Sequence, residues 1–148
     1  VDRAQLKAQQ HFVTYDSKID VVTIVKEVCD LKQICTQSAG LRPFGVSLLI
    51  GGVEEDGTIK LFLTEPYGLF FQYRAAVIGE GEAEVEPILL KKYKSTMTVD
   101  EGLRLGLSAM KELLKSDFNV ERVDAAYINV ATKRFTKLSD DEITKLMK

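Results

Sequence analysis

The stretch from residue 41 to residue 52 constrains the fold more than any other part of the sequence. Residues 46–50 are apolar except for Ser47, too few for a packed helix and rich enough in branched side chains for a strand. A short continuous apolar run predicts a strand covered on both faces, because a half-exposed strand alternates apolar with polar side chains. Pro43 lacks an N–H and delays regular pairing, and the Gly51-Gly52 pair ends the run. The rest of the chain must therefore supply two covers for this strand.

Two helices are predicted before this strand. Residues 1–14 carry apolar side chains at helical spacing. Residues 21–37 form a second amphipathic segment, with Asp20 in position to cap its first turn. The apolar stripe of this second helix consists of Val21, Ile24, Val25, Val28, Leu31 and Cys35, and four charged residues are expected largely off that face, namely Lys26, Glu27, Asp30 and Lys32.

Turn sequences predict a run of short strands after residues 46–50. Residues 54–57 (EEDG) predict a hairpin, because Asp-Gly between apolar runs favours a tight turn. Residues 65–68 (EPYG) predict a second turn, with proline and glycine where β-turns favour them. The further strands are expected at residues 59–63, 69–73 and 75–78, which makes four strands in this part of the chain.

The second half of the sequence predicts two helices, a pair of strands and a short last helix. Thr98 and Ser139 each stand three residues before a glutamate, the pattern of a capping box at a helix start. The strands are expected at residues 123–131 and 135–138. Pro87 lies in an otherwise helical segment, so that helix is predicted to begin near Glu86 or to bend at the proline.

The composition indicates one ordinary globular domain. The chain has 148 residues, of which 45% are apolar and 28% charged. A net charge of −2 gives no electrostatic footprint for nucleic acid, and no apolar stretch approaches the roughly 20 residues that span a bilayer. We therefore expect no nucleic-acid partner and no membrane partner. We expect a cytoplasmic location. Cys29 and Cys35 lie too far apart on one helix to bridge and are expected to be buried free thiols.

Residue patterns that carry catalysis are missing from the sequence. It contains no Ser-His-Asp set, zinc-protease motif, phosphate-binding loop or cysteine cluster. His11 is the only histidine, and a lone histidine near a helix end is usually a structural or surface residue. We therefore assign no catalytic, cofactor-binding or metal-binding residue and expect no cofactor.

The passage from residue 37 to residue 53 resembles the helix-to-strand passage of α-type subunits of the 20S proteasome core particle. It reads QSAGLRPFGVSLLIGGV and is closest to the archaeal form, approximately T-Q-x-G-G-x-R-P-F-G-V-x-L-L-I-A-G. VDRA at 1–4, DLKQ at 30–33, TEPYG at 64–68 and AVIG at 76–79 resemble other family elements in the same order. On this resemblance the family-signature residues, with a structural role, are Arg42, Pro43, Phe44, Gly45, Pro66, Gly68 and Gly79.

The resemblance implies an α+β fold, the four-layer αββα sandwich of the N-terminal nucleophile hydrolases. It also implies a single domain over residues 1–148, equivalent to the C-terminal two-thirds of an α-type subunit, with the early strands of the family absent from this chain. The implied function is that of a non-catalytic structural subunit. Its heptameric, homo-oligomeric ring controls substrate entry to the proteolytic chamber in ubiquitin-independent or regulator-driven protein degradation. The implied partners are other α subunits and β subunits, whereas a regulatory ATPase would dock only through the absent N-terminal part.

Two other functions stay open. The first is a fragment of a catalytic β-type subunit, whose nucleophile would be a free N-terminal threonine. Residue 1 is Val1, and the RPFG passage at residues 42–45 resembles α-type subunits more closely. The second is an unrelated stand-alone α/β interaction module.

The sequence also predicts an exposed apolar surface beside the strand at residues 46–50. Only residues 123–131 and 135–138 are left to face it, and two strands make a small sheet layer. Apolar surface of this kind usually marks an interface or a site of aggregation.

Overall fold

The computed structural model of the chain describes residues 1–147, which form two compact units. The first is Val1–Arg74, and the second begins at Ala75. The first unit contains α1 (Asp2–Tyr15), α2 (Val21–Gln37), β1 (Leu48–Val53), β2 (Ile59–Thr64) and β3 (Phe70–Gln72). The second contains α3 (Glu82–Lys92), α4 (Val99–Leu114), 3-10 turns at Lys115–Asp117 and Val120–Arg122, β4 (Ala126–Ile128), β5 (Phe135–Lys137) and α5 (Asp140–Leu146). The α+β class is confirmed, and the single domain stays a prediction.

Helix α2 packs on the antiparallel sheet of the first unit, whose strand order is β1-β2-β3. Val25 and Cys29 of α2 are buried against Phe62 of β2, and the ring of Phe70 meets that of Phe62 edge-to-face at 6.0 Å. Burial of an aliphatic or aromatic side chain of this size stabilises a fold by about 1.5–3 kcal/mol. The predicted bounds of α2 are confirmed. Asp20 occupies the N-cap position, but its side chain makes no capping hydrogen bond.

Strand β1 differs from its prediction in both position and cover. It begins at Leu48 and continues through Gly51 and Gly52, which were expected to end it. The prediction of a strand covered on both faces is wrong, because none of its residues is buried and Leu49 is 37% exposed. Among the described residues, α2 covers one face of β1, and the other face stays exposed.

Position 52 of β1 favours glycine because α2 passes close to the strand there. A Cβ built at Gly52 would lie 2.5 Å from Cγ2 of Val21, a distance that real side chains do not tolerate. A glycine inside a strand often marks such an approach of another element.

The fourth predicted strand, at residues 75–78, is wrong. β3 ends at Gln72, and residues 75–78 belong to no strand ladder among residues 1–147. These four residues are only half-buried, and a short apolar run cannot by itself supply the partner strand that a ladder needs.

Pro87 lies inside α3, which begins at Glu82, so the predicted start near Glu86 is wrong, and the alternative of a bend at the proline stays a prediction. An N–H at position 87 would donate to the carbonyl of Ala83, and proline has none. Glu82 and Glu84 lie in the first turn, where carboxylates favour the positive end of the helix dipole. Gly81 precedes the helix in close contact with Leu113 of α4.

Both predicted capping boxes are present in the second unit. Thr98 and Ser139 each accept a hydrogen bond from the N–H of the glutamate three residues later, and that glutamate bonds back. The core of this unit consists of Leu107, Val123, Leu138 and Ile143.

The two strands of the second unit are shorter than predicted. β4 ends at Ile128, and the side chain of Asn129 accepts hydrogen bonds from the N–H groups of Ala131 and Thr132. This side chain bends the chain into a turn before β5 begins at Phe135.

Candidate functional site

A groove with a volume of about 510 Å³ lies beside β1 in the first unit. Its lining is mostly apolar and includes Phe44, Val46, Leu48, Leu49, Ile50 and Gly51. Successive side chains of a strand point to opposite faces, so a groove over one face would be lined by alternate residues. Four consecutive lining residues in β1 indicate that the groove follows the edge of the strand. The start of α1 and one side of α2 complete its walls.

The backbone of β1 is unpaired on the side away from β2 in the part of the chain that is described. The N–H of Glu54 donates to the carbonyl of Thr58 and closes the β1–β2 hairpin. Because hydrogen-bonded and non-hydrogen-bonded pairs alternate along an antiparallel ladder, the backbone groups of Leu49, Gly51 and Val53 point away from β2. An edge of this kind is a template for another extended segment.

Lys32 is buried where α2 meets the ends of β1 and β2. Its side chain is 2% exposed, and its ammonium nitrogen lies 2.9 Å from the carbonyl oxygen of Val46. The same nitrogen lies 3.0 Å from Oγ1 and 3.3 Å from the carbonyl oxygen of Thr64, and 3.2 Å from the carbonyl oxygen of Glu65. One side chain thus connects α2, the residue two positions before β1 and the end of β2.

Burial lowers the pKa of Lys32, while the nearby Cys29 and Glu65 act in the opposite direction. Burial also raises the pKa of the Cys29 thiol, and Lys32 opposes that rise. Removal from water works against the positive charge, whereas four oxygen acceptors stabilise it. An ammonium group has three N–H bonds to donate, so these oxygens leave it none for a substrate.

Apolar side chains make up most of the groove lining. Among residues 1–147, no three His, Cys, Asp or Glu side chains are placed to hold a metal ion. Both cysteines are buried and free, as predicted. In the same residues, no helix is both long and apolar enough to cross a bilayer.

A family model described as "Proteasome subunit" matches residues 1–128. The chain belongs to the proteasome subunit family. Among its relatives, "Proteasome subunit alpha" of Methanocaldococcus jannaschii is 41% identical over 147 residues, 99% of this chain and 56% of the relative. The protein of the same name from Thermococcus sibiricus is 37% identical over 99% of this chain and 55% of the relative. That from Archaeoglobus fulgidus is 39% identical over 97% of this chain and 57% of the relative.

The relatives confirm the resemblance to α-type proteasome subunits of archaea, and with it a proteasome-like α+β fold. The chain spans between 55% and 57% of the length of these three relatives.

The family-signature passage at residues 42–45 is exposed and has no regular secondary structure. Phe44 is 41% exposed and lines the groove, whereas Arg42, Pro43 and Gly45 lie outside its lining. No hydrogen bond involves residues 42–45 among the described residues. The structural role of these four residues stays a prediction.

Gly68 has a visible reason to be glycine. Gly68 is the last residue of the turn at residues 65–68, which contains Pro66. Its N–H donates to the carbonyl of Glu65, and its φ is 86°. A Cβ at Gly68 would lie 2.7 Å from the carbonyl oxygen of Cys29. Gly79 also has a positive φ, 118°, but no atom would lie within 4 Å of its Cβ. The family resemblance placed Gly68 and Gly79 in one signature set, and the structure gives them different surroundings.

Lys32 is the site residue that the sequence analysis missed, because it was expected off the apolar face of α2. Its spacing carried a signal. The buried positions Val21, Val25, Val28, Lys32 and Cys35 follow one another at intervals of four and three residues. A lysine in such a register lies on the face that packs inward and needs a polar partner there.

Proposed function

We propose that this chain forms part of a non-catalytic α-type subunit of the 20S proteasome core particle. In this role it contributes to the outer ring that controls entry of substrates into the proteolytic chamber in the cytoplasm. The observation that carries the proposal is 41% identity over 147 residues to an archaeal protein named "Proteasome subunit alpha". Its partners are other α subunits and the β subunits, and a regulatory ATPase docks outside the part of the family that this chain matches.

The surface of the first unit supports a role in assembly. The groove beside β1 combines an apolar lining with the outward backbone groups of Leu49 and Gly51. Exposed apolar surface beside an unpaired strand edge is typical of a surface that another polypeptide covers.

The names of the relatives argue against a fragment of a catalytic β-type subunit. No nucleophile is assigned to the chain. We therefore expect the purified chain not to hydrolyse fluorogenic peptides. Turnover that survives repurification and disappears on boiling would contradict the non-catalytic role.

A chimera tests the α-type assignment directly. The matched part of the Methanocaldococcus jannaschii relative is replaced by this chain, and the product is expressed with the β subunits of that organism. We expect particles on native gels that contain both chains. The same chimera without β subunits is the control and should have no peptidase activity. Failure to enter particles, while the unaltered relative does so, would overturn the assignment.

A further inference from the structure

The oxygen atoms around Lys32 form a binding site for a primary ammonium group. We infer that this site requires its cation, which α2 supplies, to hold the exposed passage at residues 42–45 in place. Three of the four acceptors are backbone carbonyl oxygens, of Val46, Thr64 and Glu65, and the fourth is the Thr64 hydroxyl. This inference does not depend on the proposed function.

The site is built for a cation because Lys32 and Thr64, which supplies two of the four acceptors, are both buried. Lys32 is 2% exposed and Thr64 is 0% exposed, so in the folded chain these two side chains bond to each other rather than to water. Carbonyl and hydroxyl oxygens are acceptors for an ammonium group, and the nitrogen-to-oxygen distances of 2.9 to 3.3 Å are those of hydrogen bonds. An apolar side chain of the same length would leave the Val46 carbonyl oxygen without its donor, whereas the Glu65 carbonyl oxygen would keep the N–H of Gly68.

The hydrogen bond from Lys32 to the carbonyl of Val46 anchors the chain directly after the exposed passage at residues 42–45. The N–H of Leu41 donates to the carbonyl of Ser38, and the chain then makes no hydrogen bond until the carbonyl of Val46 accepts one from Lys32. In the part of the chain that is described, hydrogen bonds therefore hold residues 42–45 only at the two ends of the passage. Phe44 and Val46 line the groove beside β1, so the same contact also fixes part of the groove wall.

Cleavage by chymotrypsin after Phe44 reports on the passage. The rate is followed under native conditions by mass spectrometry of the fragment that ends at Phe44, since native proteolysis tracks the population of the open form. Lys32→Ala and Lys32→Met should each raise this rate by about tenfold or more, because the oxygens lose a charged donor. Lys26→Ala, on the exposed side of the same helix, is the matched control and should leave the rate unchanged.

Chemical rescue separates the cation from simple packing. Lys32→Ala removes three methylene groups and the ammonium group beside the groove, so n-propylammonium fits the vacated space. We expect n-propylammonium chloride to return the Lys32→Ala rate toward the wild-type value. Tetramethylammonium chloride at equal ionic strength has no N–H donor and should not. Lys32→Met fills the space and should respond to neither salt.

Thr64 provides a second test that retains Lys32. Thr64→Val removes one acceptor at nearly constant volume and should raise cleavage after Phe44 by about threefold or more, whereas Thr64→Ser keeps the hydroxyl and should stay near the wild-type rate. The comparison of Thr64→Val with Thr64→Ser tests the inference if the Lys32 variants do not fold. A wild-type rate for Lys32→Met or for Thr64→Val, or equal rescue by both salts, would overturn the inference.

Discussion

In the first unit the ammonium group of Lys32 bonds to residues between 14 and 33 positions away along the chain. In the second unit the hydroxyls of Thr98 and Ser139 bond to residues 3 positions away. Asp20 of the first unit occupies an N-cap position like theirs but makes no capping bond with its side chain. At the start of α2 the N–H of Val21 instead donates to the carboxylate of Glu54, and Val21 and Val25 pack against the sheet. Helices α4 and α5 begin at local hydrogen bonds.

The two units should therefore respond differently to substitutions. Substitutions in the first unit should alter contacts between elements. The size of each effect should depend on which residue of the neighbouring element lies opposite. Substitutions at the helix starts of the second unit should have the smaller effects of a single local hydrogen bond.

The largest effect is expected at Gly68, where the turn after β2 meets the backbone of α2. Gly68→Ala combines a positive φ with a Cβ only 2.7 Å from the Cys29 carbonyl oxygen. We expect a loss of about 3 kcal/mol in the free energy of unfolding, measured by urea denaturation. Gly40→Ala is the control, since Gly40 has a φ of 94° but nothing within 4 Å of its Cβ. Equal losses in the two variants would show that the contact with α2 is unimportant.

A gain is expected at Pro87 of α3. Pro87→Ala restores the N–H that donates to the Ala83 carbonyl, at the expense of a more flexible unfolded chain. The net stabilisation should be about 1–2 kcal/mol. Pro66→Ala in the turn after β2 should instead destabilise by about 0.5 kcal/mol, because proline favours that turn position. Thermal melts of the two variants should therefore shift in opposite directions, and a lower melting temperature for Pro87→Ala would contradict the helical placement.

A smaller loss is expected at Thr98, the N-cap of α4. Thr98→Ala removes the acceptor for the Glu101 N–H and should cost about 1 kcal/mol in urea denaturation. Asp20→Ala at the start of α2 should cost clearly less, since its side chain makes no capping bond. A larger loss at Asp20 than at Thr98 would reverse the comparison between the two units.

The smallest effect is a dependence on pH in the acidic range. Hydrogen bonds from Thr98 lower the pKa of Glu101, and those from Ser139 lower the pKa of Glu142. Folded carboxyls with lowered pKa values contribute stability that is present above the ordinary value of 4.5 and is lost as the pH falls through the lowered values. Glu101→Gln with Glu142→Gln should flatten this part of the stability profile, as measured by melts between about pH 2 and pH 6. An unchanged slope would show that the boxes contribute nothing to acid sensitivity.

Prediction from sequence succeeded where the signal was local. The bounds of α2 and both capping boxes followed from periodicity and from residues three apart. It failed where the decisive partner was distant. The place of Gly52 inside β1 does not follow from its neighbours, because Val21 comes from another element. The spacing of Lys32 indicates the inward face of α2, but its partner Thr64 comes from another element. Residues 75–78 have a strand-like sequence, yet a strand also requires an available partner.

The exposed apolar groove beside β1 is the feature on which the assembly role rests. Binding of a fluorescent dye that reports apolar surface, combined with size-exclusion chromatography and light scattering, measures it directly. We expect the chain to bind dye or self-associate. Leu49→Glu, inside the groove, should reduce both, whereas Leu90→Glu, on the exposed side of α3, should not. A soluble monomer that binds no dye and melts cooperatively would contradict the account and favour a stand-alone module.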